Sequence, residues 1–413
     1  MPASWSSACA LVALVVGCES APAPLLPPPE CPPPPTDLRG FEEDYSALVV
    51  EIVGTETAPV LGTDERWHVV YELRLLNVRP VEAELTALEV LDYDARERRV
   101  SRLEGDALLG AMRGLTLRPV EDRRIAPDAG RVVFVELAFD ARDDVPARIL
   151  HRVEARAAAN PGSREPVPVR YLAAPWDISR RTTPRIAPPV RGRGWVAING
   201  CCDPGAVHRD AIQPVRGRMV VSQRFAIDWQ RLDDEGRFFD GDPSALESWA
   251  GFDEPLYAVA DGVVVQALDA LDDITPGSLP EPGTITLQTV DGNHVILDLG
   301  GGVHAFYAHL RRGSVRVAVG DRVVAGQEIG RLGNTGNTSA PHLHLHLMAE
   351  PSALGADGIP HTFTELRVAG RLDRERWRTA PDQSGQWFDR AAASPDDRVG
   401  QLPLDLSVVD FPD

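Results

Sequence analysis

The chain is 413 residues long, with 61 acidic against 42 basic residues and a formal net charge of −19, and none of its basic residues is lysine. A balance this acidic argues against nucleic acid as the main partner, because gripping phosphates takes clustered positive charge. Hydrophobic content of 43% and charged content of 25% exclude a disordered chain, and the length leaves room for two ordinary domains.

The first predicted element is the apolar run ACALVALVVGC at 8–18, which has signal-peptide length and is too short to cross a bilayer as a helix. Its ending VVGC resembles a bacterial lipobox, which implies cleavage before Cys18 and lipid on that cysteine, although no Lys or Arg precedes the run. Residues 19–40, rich in proline, predict an extended and semi-rigid tether. A signal peptide over 1–18, then a stalk, then folded mass is the layout of a cell-envelope lipoprotein that meets the membrane only through its N-terminal lipid anchor.

Residues 41–175 read as short strands. ALVVEIVG (47–54), WHVVYELRLLNV (67–78) and RVVFVELAFD (131–140) alternate apolar and polar residues between turn signals, which predicts an immunoglobulin-like β-sandwich. His68 and His151 are isolated in this half and read as structural. A linker over 176–194 contains RRTTPRIAPPVRGRG. From 195 to 413 the pattern is β again, in RMVVSQRFAIDW (218–229), PLYAVADGVVVQAL (255–268), TITLQTV (284–290), NHVILDLG (293–300), VHAFYAHL (303–310) and GDRVVAGQEIGRLG (320–333). Acidic stretches at 231–253 and 269–282 read as surface loops beside a cleft, and LPLDLSVVDF (402–411) as a closing strand. The predicted class is all-β throughout.

Cysteine usage fits an envelope protein. Cys9 leaves with the signal, Cys18 carries lipid and Cys31 lies in the stalk, while Cys201 and Cys202 are adjacent. Neighbouring cysteines rarely bond each other, so a link from Cys31 to one of them stays open.

The chemistry concentrates in APHLHLHLMA (340–349), which carries three of the ten histidines. On a strand, His342, His344 and His346 share one face and Leu343, Leu345 and Leu347 the other, which predicts an imidazole row over a buried leucine row. Such a row suits a metal or acid–base site. Strand neighbours on one face are about 6.5 Å apart, whereas donors on one zinc ion lie about 3–3.5 Å apart. One ligand with an acid–base neighbour is therefore a better reading than three ligands.

The order of these segments resembles the LytM/lysostaphin-type zinc endopeptidases (metallopeptidase family 23), which cleave cell-wall peptides. PLYAVADGVVVQA, AFYAHL, GDRVVAGQEIGRLGNTGNTSAPHLHLH and FAID carry the resemblance over about 215–347. It implies a LytM-type β-sheet peptidase domain over 195–413, Zn²⁺ as cofactor and peptidoglycan peptides as substrate. It further implies Asp228 and His344 as zinc ligands, and His309 and His342 as the catalytic histidines.

One position departs from the family. Where its first ligand histidine belongs, four residues before the aspartate, this chain has Arg224, and a guanidinium offers no lone pair. If 222–229 is a straight strand, Arg224 lies about 13 Å along it from Asp228. The substitute ligand is expected to be His208, in the loop CCDPGAVHRD, with His346 as second candidate on a distorted strand. His294 and His304 are expected to face solvent, His361 lies beyond the matched core, and an oxidising envelope argues against a thiolate from Cys201 or Cys202. The activity implied is a zinc-dependent endopeptidase on peptidoglycan cross-links. The alternative is a metal-free LytM-like module that binds or activates another cell-wall hydrolase.

Overall fold

The computed structural model describes residues 45–413 apart from 97, 161, 204, 205 and 282. The predicted signal, anchor and tether, with Cys9, Cys18 and Cys31, lie outside the described residues.

The described chain is nearly all β. Two five-stranded sheets come first. One runs in the order Val49–Val53, Trp67–Leu76, Gly130–Phe139, Met112–Gly114, and the other in the order Pro166–Asp177, Arg148–Ala158, Ala83–Asp92, Arg99–Glu104. They face each other through one apolar core that includes Val69, Tyr71 and Leu73 from the first and Leu85, Leu88 and Val153 from the second. The alternation read from WHVVYELRLLNV supplies that inward row directly. His151 is buried in this layer between the Tyr71 hydroxyl and the Ala174 carbonyl, and His68 is held between Asp64 and Glu136, so both are structural.

The second half is built on an eleven-stranded antiparallel sheet. Its central run is Asn293–Asp298, His304–Leu310, Leu343–Met348, Ile227–Arg231, Gly192–Ile198 and Ser407–Phe411. The segment read as a closing strand is a strand but lies inside the sheet, paired with Gly192–Ile198 on one side and with Leu366–Arg371 on the other. Leu343, Leu345 and Leu347 join Ile227, Trp229, Ala305 and Tyr307 in the core beneath it. Each leucine so buried stabilises the fold by about 1.5–3 kcal/mol relative to exposure.

Several expectations need correction. The 218–229 segment is not one strand: Arg218–Val221 ends in a turn over 222–225, and a new strand begins at Ile227. TITLQTV forms turns, because its Thr286 and Thr289 hydroxyls bond to each other and to nearby backbone instead of leaving the segment free to pair. Part of 231–253 is not a surface loop, since Phe238 and Trp249 pack with Trp387 in a second core above the sheet. Cys201 and Cys202 do bond each other, across a cis peptide with their Cα atoms 3.0 Å apart.

In the sandwich, Glu89 is the hub of an arginine cluster made by Arg152, Arg102 and Arg99. Burial raises its pKa, but the three guanidinium hydrogen bonds outweigh that and hold it at about 2 against an ordinary 4.5. A depressed carboxylate pKa gives stability that is fully present above the unfolded value and is lost as pH falls through the folded one. Denaturant unfolding measured across pH 5 to 2 is expected to show a progressive loss of stability, which Glu89→Gln makes shallower. An unchanged acid profile in that variant would show that Glu89 is not its source.

Candidate functional site

Three adjacent strands bring the histidine row to its partners. Register places Asp228 opposite His344 on one side, and Ala308 opposite His344 on the other, so His309 follows directly beside the row. Inverted alternation then puts Ile227, Trp229 and the leucines into the core and leaves Asp228, His344 and His346 on the opposite face. That face is not open to solvent, as the other residues covering it bury His344 and His346 completely or nearly so. His342 lies just before the strand, with its Nδ1–H donated to the Ala340 carbonyl at 2.8 Å.

Asp228 is the centre of the arrangement. His344 Nδ1 is 2.9 Å from its Oδ1, His342 Nε2 is 3.4 Å from the same oxygen, and His208 Nε2 is 3.2 Å from Oδ2. Asn199 donates from Nδ2 to Oδ2 at 2.8 Å. Sequence reasoning missed Asn199. The signal lay in pairing, because Ile198 is the partner of Asp228 in the neighbouring strand and Asn199 is the next residue.

His208 arrives from the 199–226 excursion, which leaves the sheet after Gly192–Ile198 and returns at Ile227. Its Nδ1–H is donated to the Ala226 carbonyl at 3.0 Å, which leaves Nε2 with a lone pair when the ring is neutral. That lone pair faces the Asp228 carboxylate. Two acceptors in this position are repulsive unless a proton or a cation lies between them, and His208, Asp228 and His344 each offer one ligand atom within 4.8 Å of the others. The donor set of two imidazoles and a carboxylate is one that zinc takes in catalytic sites, with a fourth position left for water or substrate.

His344 turns its other nitrogen, Nε2, to His346 Nδ1 at 2.8 Å. His346 therefore backs a candidate ligand from behind. The strand is regular, so the distortion that would bring His346 into the ligand set is absent. Arg224 points elsewhere altogether. The turn at 222–225 carries it into the sandwich, where it pairs with Glu72, so the straight-strand placement is not what the chain adopts. His294 and His304 are buried, contrary to expectation: both lie on strands inside the sheet, His294 against the Phe306 ring with its Nδ1 on the Gly292 carbonyl, and His304 paired with Met348. His361 is fully buried beyond the cluster, with its ring edge-on to Phe363.

His309 has a left-handed backbone, φ 64°, at the end of its strand. Such a conformation costs a non-glycine residue about 1–3 kcal/mol and is kept where the surroundings enforce it. Here the backbone N–H is held by the Asp291 carbonyl, and the Nδ1–H by the Thr335 carbonyl at 2.7 Å. Thr335 is fixed in turn by Gly336 (φ 81°), which lies so close to the next loop that a Cβ would meet the Gly292 nitrogen at 2.3 Å. The two glycine-containing loops thus stack behind His309. Its ring centroid is 4.6 Å from that of His342.

The electrostatics separate the histidines. Burial lowers the His208 and His342 pKa values, but the Asp228 carboxylate outweighs it and both end above the ordinary 6.5. For His344 burial prevails and the value falls to about 4. His309 falls well below the ordinary value through burial, reinforced by His342 and His344. Asp228 itself would be raised by burial, yet His208 and His342 hold it well below 3.8. Among the site side chains, His342 and Asp228 keep 11% and 13% exposure, which marks the approach to the cluster.

A second cluster, His68, Glu136 and Cys202, also brings three donor atoms together. Its sulfur is engaged in the disulfide with Cys201, so it offers no thiolate. A cavity of about 1030 Å³, lined by Arg193, Asp233 and Arg367 among others, shares no residue with the histidine cluster.

Comparison with known proteins bears on residues around this cluster. Peptidase family M23 matches residues 248–355. A glycyl-glycine endopeptidase, ALE-1 of Staphylococcus capitis, is 39% identical over 98 residues, which is 24% of this chain and 25% of that protein. The peptidoglycan DD-endopeptidase ShyA of Vibrio cholerae is 30% identical over 102 residues, 25% of this chain and 19% of that one. The chain thus spans about a quarter or less of the curated relatives it matches. The catalytic domain of lysostaphin from Staphylococcus simulans aligns over 41% of this chain and 88% of that domain, at 24% identity and a TM-score of 0.22.

Replacing Asp228 by Asn removes the charge that raises His208 and His342 while leaving their burial. Histidine titrations followed by NMR on metal-free protein are expected to show both pKa values falling below 6.5 in Asp228→Asn. Values that stay above it would contradict the coupling through Asp228.

Proposed function

We propose that this chain, which carries a peptidase family M23 domain at residues 248–355, is a zinc-dependent endopeptidase acting on peptide cross-links of bacterial peptidoglycan. The observation that carries the reading is the convergence of His208, Asp228 and His344, with His208 supplying the ligand that position 224 cannot. The activities named for the matched relatives support the substrate class. Cell-envelope placement through a lipidated Cys18 belongs to the same proposal.

His208, Asp228 and His344 are the residues that would hold the ion, which when bound supplies Lewis-acid polarisation of the scissile carbonyl and of water. His309 is neutral at physiological pH and has its Nδ1–H committed to Thr335, so its Nε2 lone pair is the acceptor for a proton from the attacking water. His342 carries the raised pKa of the pair and its side chain keeps some exposure, which suits it to donate a proton to the leaving amine and to stabilise the oxyanion. Asn199 keeps Asp228 oriented through the oxygen that also faces His208.

Metal analysis of the purified chain is expected to give one zinc per molecule, lost in His208→Ala and in His344→Ala. His309→Ala and His342→Ala should keep the zinc and lose roughly 10²–10⁴-fold in cleavage of purified peptidoglycan. A wild-type chain without stoichiometric zinc at neutral pH would sink the peptidase reading in favour of a docking module. Zinc retained in His208→Ala would leave an enzyme with a different third ligand.

A further inference from the structure

We infer that Glu72, in the N-terminal sandwich, is a positioning residue for the metal site, and that zinc affinity depends on it across the interface between the two halves. This rests on the reading of His208 as a zinc ligand. Glu72 lies mid-strand in Trp67–Leu76 on the face away from the sandwich core, and it is fully buried because the second half of the chain covers that face. Its two carboxylate oxygens are taken by two different arginines. Arg209 donates to Oε1 from Nη2 at 2.8 Å and from Nε at 3.3 Å, and Arg224 donates to Oε2 from Nη2 at 2.7 Å and from Nε at 3.1 Å.

Both arms lead to His208. Arg209 is its covalent neighbour. Arg224 anchors the turn that ends at Ala226, whose carbonyl accepts the His208 Nδ1–H. One carboxylate therefore holds the residue beside the ligand and the segment that fixes the ligand's tautomer. The remaining guanidinium N–H groups extend the grip. Arg209 reaches the carbonyls of Cys202, Tyr71 and Val135, and Arg224 those of Glu56 and Val53. The hairpin between the two arms, Ile212–Val215 with Arg218–Val221, packs Ile212 and Val221 against Val53, Val132 and Phe134 of the sandwich. The excursion that delivers His208 is thus clasped to the N-terminal half through Arg209, Arg224 and this hairpin, while Cys201, Cys202 and Phe225 pack in the core of the sheet that carries Asp228 and His344. The arginine that displaced the family's usual ligand is one arm of the device that holds the replacement.

The test is zinc affinity of the full chain, measured by competition with a chromophoric chelator at a temperature where every variant is folded. Glu72→Gln is expected to bind zinc about 10–100-fold more weakly, the range typical when a group supporting a ligand is lost. Leu85→Ala, which removes a buried leucine from the sandwich core without touching the clasp, should lower the melting temperature and leave zinc affinity within about twofold of wild type. If Glu72→Gln does not fold, the triple variant Glu72→Gln, Arg209→Met, Arg224→Met removes the buried charges together, and it should fold and show the same weakening. Wild-type affinity in whichever of these folds overturns the inference, as does equal weakening in Leu85→Ala. A wild-type chain that binds no zinc at all instead overturns the proposed function, and this inference falls with it.

Discussion

A carboxylate buried in the second half of this protein cannot stand alone. Moving such a charge out of water costs several kcal/mol unless opposite charge and hydrogen bonds meet it. Asp228 is met by Asn199 and by imidazoles from three separate places in the chain: the excursion loop, the approach to the histidine strand, and the strand itself. Each of these contacts constrains a different backbone segment. The register between Ile227–Arg231 and Leu343–Met348, the path of the 199–226 excursion and the placement of Asn199 together supply the partners that this one charge needs. The coupling runs both ways, since Asp228 lifts His208 and His342 while they depress it.

The same coupling divides labour among chemically identical side chains. His309 lies beyond direct reach of the carboxylate and is held by a backbone carbonyl, so burial keeps it neutral. His342 lies within reach of it and keeps some exposure, so its pKa is raised. A pair of titratable groups whose surroundings drive their pKa values apart is how acid and base roles are set at one pH.

The two halves of the described chain are joined by more than a linker. Val60 and Val70 of the sandwich belong to the core beneath the large sheet, and Leu61 and Thr63 exchange backbone hydrogen bonds with Leu402. Glu72 with Arg209 and Arg224 lies within this contact. A buried ion pair adds little net stability over an apolar one, but removing a single partner costs about 3–5 kcal/mol, which makes it a selector of one arrangement over others. The surfaces it selects are those that bring His208 over Asp228.

Much of this was legible in the sequence, for reasons specific to particular residues. Alternation in LHLHLM determined which side chains go down into the core and which go up, because a strand's period of two admits no other outcome once the leucines are buried. The ordered motifs determined the all-β class of the second half and singled out Asp228, His309, His342 and His344. They also showed that position 224 could not supply a ligand, since arginine has no lone pair to give. His208 could only be nominated in its place, because it reaches Asp228 through a loop whose path depends on contacts with a different half of the chain. Asn199 was invisible because its role comes from which strand lies beside which. Glu72 reads in sequence as an ordinary outward polar residue on a sandwich strand. Only tertiary structure could bury it, since its partners are 137 and 152 residues away, and local patterning carries no information about contacts at that distance.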